Sequence, residues 1–149
     1  MKRDFCSTVY IVKDEKLLLH LHPKFGKYLP AGGHLEKDET PIEAAHREIF
    51  EETGLKIRLI DESQDILNYP HAISLPKPFL CLLENVEQPT PHQHVDFIYL
   101  GIPIEDKEPL PPFRYYTYQE AEKIFDQGEM FEDVYYVIKK ILLKDKALI

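Results

Sequence analysis

The segment Gly33–Leu55 constrains this chain more than any other, because its residues define one short helix with signals at both ends. Thr40 is a good N-cap, and the proline after it suits the first helical position. Glu43 completes a capping box with Thr40. Gly54 is a natural left-handed stop. The segment therefore predicts a helix over Pro41–Thr53.

Three glutamates of this helix, Glu48, Glu51 and Glu52, are spaced so that their side chains project from one side of two turns. Like charges at this spacing repel each other by roughly 0.2–0.5 kcal/mol per pair. Two of them also lie in the last turn, where the helix dipole disfavours anions. A bound hard cation such as Mg²⁺ reverses both penalties, since it takes carboxylate ligands.

The segment before the helix helps to distinguish a solvated acidic face from a metal site. An acidic helix face on its own is usually only solvated, and Arg47 can pair with Glu43 and Glu51. Lys27–Gly33, however, reads as a strand that ends in a glycine turn, and such a turn lets backbone carbonyls approach a metal or a phosphate closely. The loop, the helix and the carboxylates together predict a site for metal and phosphate.

The residues from Gly33 to Leu55 match the pattern G-x5-E-x7-R-E-U-x-E-E-x-G-U, in which U is aliphatic, at every constrained position. At average amino-acid usage, a chance match is on the order of 10⁻¹⁰ per start position. The chain therefore resembles the Nudix hydrolase family. The resemblance implies an α/β fold, specifically a Nudix-type α/β/α sandwich with a mixed β-sheet flanked by helices. We expect residues 1–149 to form a single domain.

The resemblance also implies roles for individual residues. Metal ligands would be the carboxylates of Glu48, Glu51 and Glu52 and the carbonyl of Gly32, holding Mg²⁺ or Mn²⁺. Arg47 would orient the glutamates, with Glu39 as a candidate partner. The metal would neutralise the diphosphate and lower the pKa of the water that attacks phosphorus. The general base would be Glu48 or an acid from a loop outside the segment, where Glu105 and Glu108 are the candidates.

Two further groups of polar residues are candidates for substrate binding. His92, His94 and Asp96 alternate along a predicted strand and would share one face. We favour a substrate-facing or a structural role for them over a zinc site. The second group is His20, His22, Lys24 and Lys27, which would contact phosphate unless it forms only a solvated strand edge.

The remaining sequence predicts alternating strands and helices. The predicted strands are Ser7–Val12, Lys16–His22, Leu55–Ile60, Phe79–Leu83, His94–Leu100 and Arg114–Tyr116. Prolines make Asp61–Pro78 irregular. One further helix is predicted over Tyr118–Phe125. Asp133 would cap a last helix with an apolar stripe.

Charge and composition narrow the classes of partner. The chain of 149 residues has a net charge of −8 and no evident basic patch, which argues against binding to duplex nucleic acid. The sequence shows neither a charged-then-apolar leader nor a long apolar run. We therefore expect neither secretion nor a membrane span. Cys6 and Cys81 are isolated and are expected to be reduced, so we expect a cytoplasmic protein. A homodimer is left open.

The substrate is less constrained than the reaction. Nucleoside triphosphates and ADP-ribose-like nucleotides, each carrying a nucleoside diphosphate linked to another moiety, are equally compatible with the sequence. Pro70 is a mild hint toward the second class. The alternative from another class is a catalytically inactive Nudix-fold nucleotide-binding module, although such modules usually lack some of these glutamates. An isoprenoid diphosphate isomerase is disfavoured, because Cys81 lies far from the segment in sequence.

Overall fold

The structure is a computed structural model that describes residues 1–61 and 65–143. The strands are β1 (Arg3–Lys13), β2 (Lys16–Leu21), β3 (Tyr28–Leu29), β4 (Ala31–His34), β5 (Ile57–Ile60), β6 (Asn68–Tyr69), β7 (Ala72–Ile73), β8 (Leu80–Val86), β9 (His92–Pro103) and β10 (Arg114–Tyr116). The helices are α1 (Pro41–Thr53), α2 (Tyr118–Asp126) and α3 (Glu132–Leu142).

The described strands form one mixed sheet and one small hairpin. The main path of the sheet is β10-β2-β1-β9-β5, with β3 paired to β2, β4 to β1 and β8 to β9. Strand β1 runs parallel to β9 and antiparallel to β2 and β4. The hairpin consists of β6 and β7. Strand β1 is therefore central, and its side chains face both layers of helices.

Alternation along β1 separates two hydrophobic cores. Val9 and Ile11 pack with Ala45 and Ile49 of α1 on one face of the sheet. Tyr10 packs on the other face, in the cluster that includes buried residues of α2 and α3. The predicted α/β/α sandwich with a mixed sheet is thus confirmed. In the described part of the chain, no helix is long and apolar enough to cross a membrane.

The ends of α1 are set by the residues that the sequence indicated. The hydroxyl of Thr40 accepts a hydrogen bond from the backbone N–H of Glu43, whose carboxylate accepts one from the N–H of Thr40. Gly54 adopts φ 74° and donates to the carbonyl of Phe50. The buried stripe is Ala44, Ala45, Ile49 and Thr53, and Ile42 is half-buried.

Three local predictions were wrong in detail. The segment expected to be irregular contains the β6–β7 hairpin, although residues 62–64 lie outside the described part. Asp133 lies in the first turn of α3, and the N-cap is Phe131, which makes no side-chain capping bond. Strand β9 begins at His92, earlier than predicted, because its ladder with β8 extends to the pair Val86 and His92.

Candidate active site

The three glutamates of α1 lie beside strand β4. Arg47 Nη1 donates to a carboxylate oxygen of Glu48 at 2.9 Å and of Glu51 at 3.2 Å. The backbone N–H of Gly32 donates to Glu52 Oε1 at 2.9 Å. The exposed fraction of the side chain is 17% for Glu48 and 57% for Glu51. The cluster therefore reaches from the edge of the sheet out to solvent.

Gly32 and Gly33 allow β4 to approach its neighbours. A Cβ on Gly33 would lie 2.5 Å from the carboxyl carbon of Glu48, and a Cβ on Gly32 would overlap the carbonyl oxygen of Ser7. The expectation of a glycine turn was wrong, since both residues lie in β4 and pair with β1. They are needed for close approach of the glutamate and of the neighbouring strand, not for a left-handed backbone.

The carboxyl of Glu52 is the most perturbed group of the cluster. Burial, assisted by the negative charges of Glu48 and Glu51, raises the pKa of Glu52 from 4.5 to about 7, against the opposing hydrogen bond from Gly32. Both causes disfavour the ionised carboxylate. A cation bound at the cluster would offset both, because it favours the charged form of its ligands.

Arg47 links the cluster to the loop that precedes α1. Its Nε and Nη2 donate to the two carboxylate oxygens of Glu39 at 2.7 and 2.9 Å, so the expected pairing with Glu39 is present. Nη2 also donates to the carbonyl of His34 at 3.0 Å. The turn contains Asp38 at φ 66°, where an aspartate is tolerated. One guanidinium thus fixes the loop, the end of β4 and two glutamates.

This donor set fits a hard divalent cation. Glu48, Glu51 and Glu52 supply oxygen ligands, which Mg²⁺ and Mn²⁺ prefer. Because Gly33 has no side chain, the space beside the Glu48 carboxyl stays open, and a Cβ at position 33 would fill it. The predicted role of the Gly32 carbonyl as a further ligand stays a prediction. So do the individual roles of the glutamates.

One candidate base outside α1, Glu105, lies near the C-terminal end of the helix. Glu105 and Lys107 line a shallow depression at the C-terminal end of α1 with Phe50 and Gly54. Glu105 also borders a depression of about 510 Å³ beside the turn between β1 and β2. Within the described residues, neither Glu105 nor Glu108 makes a hydrogen bond or an ion pair with the glutamate cluster. Their catalytic role stays a prediction.

His92, His94 and Asp96 lie on β9, on the face of the sheet opposite α1. The rings of His92 and His94 are 5.0 Å apart, centre to centre. Asp96 is buried and accepts from the hydroxyl of Thr8 at 2.9 Å. Burial, and then the proximity of Asp96, raise the pKa of Glu84 to about 9, and burial also raises the pKa of Asp96. Both shifts disfavour the ionised carboxylates of Glu84 and Asp96 on this face.

The other predicted binding group is divided by the fold. His20 is buried on the α1 face, and its ring stacks on Phe113 at a centroid distance of 4.1 Å. Lys27 Nζ donates to the carbonyl of Gly128 at 2.6 Å, between α2 and α3. His22 packs against Phe25, and Lys24 is exposed. Protein contacts already occupy His20 and Lys27, and their role in substrate binding stays a prediction.

Sequence reasoning missed four polar residues that the fold brings to the face of His92 and His94. They are Asp4, Cys6, His34 and Glu84. Strand pairing brings them together: Cys6 lies opposite both His34 and Asp96, and Glu84 lies opposite His94. The alternation of Asp4 and Cys6 along β1 was the only signal in the sequence.

Comparisons with known proteins agree with this geometry. A crystal structure of a NUDIX family hydrolase from Clostridium perfringens superposes with a TM-score of 0.74 at 28% identity, covering 97% of this chain and 100% of its own. A probable DHNTP pyrophosphohydrolase of Lactococcus lactis subsp. cremoris is 27% identical over 131 residues, which are 86% of this chain and 72% of that protein.

A shorter match concentrates on part of the chain. An RNA pyrophosphohydrolase of Brucella anthropi is 47% identical over 49 residues, which are only 30% of this chain and 28% of that protein. The family model described as the NUDIX domain matches residues 5–134, which include the sheet, α1 and the start of α3. The chain therefore belongs to the NUDIX domain family, and it is a pyrophosphohydrolase of that family.

Proposed function

We propose that this protein hydrolyses the pyrophosphate bond of a nucleoside triphosphate or a related triphosphate, in a reaction that depends on Mg²⁺ or Mn²⁺. The observation that carries the proposal is the Arg47 network, which holds Glu48 and Glu51, with Glu48 beside Gly33, while the N–H of Gly32 holds Glu52. Carboxylates gathered in this way are suited to a cation that binds phosphate oxygens.

The chain's own groups have separate tasks in this proposal. Glu48, Glu51 and Glu52 hold the metal, which supplies charge neutralisation and an acidified water. Arg47 keeps the glutamates in place through its bonds to Glu39 and to the backbone of β4. Burial raises the pKa of Glu52 to about 7 in the absence of metal, and a cation bound at the cluster would favour its ionised, metal-binding form.

The proposed substrate class rests on the name of one similar protein. The similar Lactococcus protein is named a probable DHNTP pyrophosphohydrolase, and this name favours a triphosphate over an ADP-ribose-like nucleotide. Pro70, the hint toward ADP-ribose, lies exposed in the turn of the β6–β7 hairpin. We also propose one domain over the whole chain and a cytoplasmic location, and a homodimer stays a prediction.

A substrate panel tests the proposal directly. Purified protein with Mg²⁺ is given nucleoside triphosphates, dihydroneopterin triphosphate and ADP-ribose, and the release of phosphate and pyrophosphate is followed separately. We expect pyrophosphate from a triphosphate, and loss of this activity in Glu52→Gln but not in Glu87→Gln, an exposed glutamate far from α1 in sequence. Faster cleavage of ADP-ribose would reverse the substrate assignment. Binding without any turnover would indicate the inactive nucleotide-binding module.

A further inference from the structure

The strand register gathers nitrogen and sulfur ligands on the face of the sheet that carries His94. Cys6 of β1 pairs with His34 of β4, and Asp4 pairs with His94 of β9. Because side chains alternate along a strand, Asp4 and Cys6 point to the same face. The ligand atoms of Cys6, His34 and His94 all lie within 4.8 Å of one another.

The two imidazoles face each other through the same kind of atom. His34 Nε2 lies 3.3 Å from His94 Nε2. Two imidazole nitrogens bound to one tetrahedral zinc, each about 2.0–2.1 Å from the metal, are separated by about 3.3–3.4 Å. The observed separation, which also lies within hydrogen-bond range, is therefore compatible with a shared ion without movement of either ring. The Sγ of Cys6 lies beneath this pair and is buried, whereas His34 is exposed and leaves a route from solvent.

A carboxyl group lies on the side of the His94 ring that faces away from His34. His94 Nδ1 lies toward Glu84 Oε1, at 3.9 Å, while its Nε2 faces His34. A backbone carbonyl or carboxylate behind the ring is the usual arrangement behind a metal-bound histidine.

We propose that Cys6 Sγ, His34 Nε2 and His94 Nε2 form a site for one divalent ion of the zinc class, with its fourth position open to solvent on the side of the exposed His34. A thiolate with two imidazoles selects zinc, cobalt or copper, whereas the oxygen-only cluster on α1 selects magnesium or manganese. The chain thus offers two metal sites of different chemistry. They are joined through His34, whose carbonyl accepts from Arg47.

Cobalt provides a readout that does not depend on activity. The chelator-treated protein, kept reduced, is titrated with Co²⁺ while its absorption spectrum is recorded. We expect one equivalent to give the thiolate-to-cobalt charge-transfer band and the strong visible bands of a tetrahedral ion. The oxygen ligands on α1 cannot produce the charge-transfer band. Failure of the proposed hydrolase function is therefore separable from failure of this site.

Matched variants identify the ligands. Cys6→Ser and His34→Ala should each weaken cobalt binding by more than about tenfold, the lower limit seen on losing an outer-shell partner. The controls Cys81→Ser and His46→Ala change an exposed cysteine and an exposed histidine, and they should keep the band. The variant carrying both Glu48→Gln and Glu52→Gln should also keep it.

Several outcomes would overturn the proposal. The first is that the thiolate-to-cobalt band is absent from the wild-type protein. The second is that the band persists in Cys6→Ser. The third is that the band is lost in Cys81→Ser. A site that needs His92 and Asp4 but tolerates loss of Cys6 would show that the neighbouring set, which shares His94, binds the ion instead. If Cys6→Ser fails to fold, His34→Ala decides the question alone, because His34 is exposed and its loss leaves no buried cavity.

Discussion

Arg47 and Glu39 form a bidentate ion pair, with Nε and Nη2 of the guanidinium 2.7 and 2.9 Å from the two carboxylate oxygens. The pair crosses from α1 to the loop before it, and the hydrogen bonds lower the pKa of Glu39. A second edge of the same guanidinium holds Glu48 and Glu51. The geometry of the acidic cluster thus depends on a planar, five-donor group.

Arg47→Lys tests this dependence. Lysine keeps the charge but cannot bond both Glu39 oxygens and Glu48 at once. We expect kcat to fall at least about tenfold and the apparent affinity for Mg²⁺ to weaken, with a smaller change in KM. Glu39→Gln should give a milder version of the same pattern. Equal losses of thermal stability and activity, with unchanged metal affinity, would assign Arg47 a purely structural role.

Gly32→Ala and Gly33→Ala should fail in different ways. The new methyl group at position 33 meets the flexible end of Glu48, so the fold survives while the carboxylate is displaced. We expect lost Mg²⁺ affinity and lost turnover with a nearly unchanged melting temperature. At position 32 the methyl group meets the backbone of β1, so we expect lower thermal stability. Similar melting temperatures for the two variants would contradict this distinction.

The sequence predicted features that depend on near neighbours in the chain, but not those that depend on strand pairing. Thr40 and Gly54 act through hydrogen bonds to near neighbours, so the helix over Pro41–Thr53 was predicted with its bounds. The approach of Gly33 to Glu48 and the pairing of Cys6 with His34 depend on how distant strands align. A one-residue shift in register would turn these side chains to the other face, and a single sequence does not fix that register.

Glu52→Gln should separate catalysis from folding. We expect kcat to fall a hundredfold or more, which corresponds to about 3 kcal/mol of transition-state stabilisation. When a chelator removes the metal, the pKa of Glu52 is about 7 in the folded protein and 4.5 in the unfolded chain. As pH rises, Glu52 therefore loses its proton first in the unfolded chain. Wild-type stability is therefore lost as pH rises from 4.5 to about 7, and the variant should lack this loss. Wild-type turnover in Glu52→Gln would refute the proposed mechanism.

Metal binding should stabilise the folded protein. Without metal, Glu48, Glu51 and Glu52 repel one another, and a cation that binds only the folded state raises the melting temperature by mass action. We expect Mg²⁺ and Mn²⁺ to raise it in the wild type but not in the double variant Glu48→Gln and Glu52→Gln. A shift of equal size in the double variant would place the main cation site elsewhere.

His20 should make the protein sensitive to acid. Burial against Phe113, and then the neighbouring His22, lower the pKa of His20 below its ordinary 6.5. Above pH 6.5 the ring is neutral in the folded and unfolded states, so it causes no pH dependence there. As pH falls below 6.5 the unfolded chain takes up the proton first, and stability is lost until the folded-state pKa is passed.

His20→Phe keeps an aromatic ring on Phe113 and removes the proton-binding group. We expect its melting temperature to fall less than that of the wild type as pH is lowered from neutrality through 6.5. His46→Phe, at an exposed position of α1, should retain the wild-type acid sensitivity. Comparable acid sensitivity in His20→Phe and the wild type would show that His20 protonates without opposing the fold.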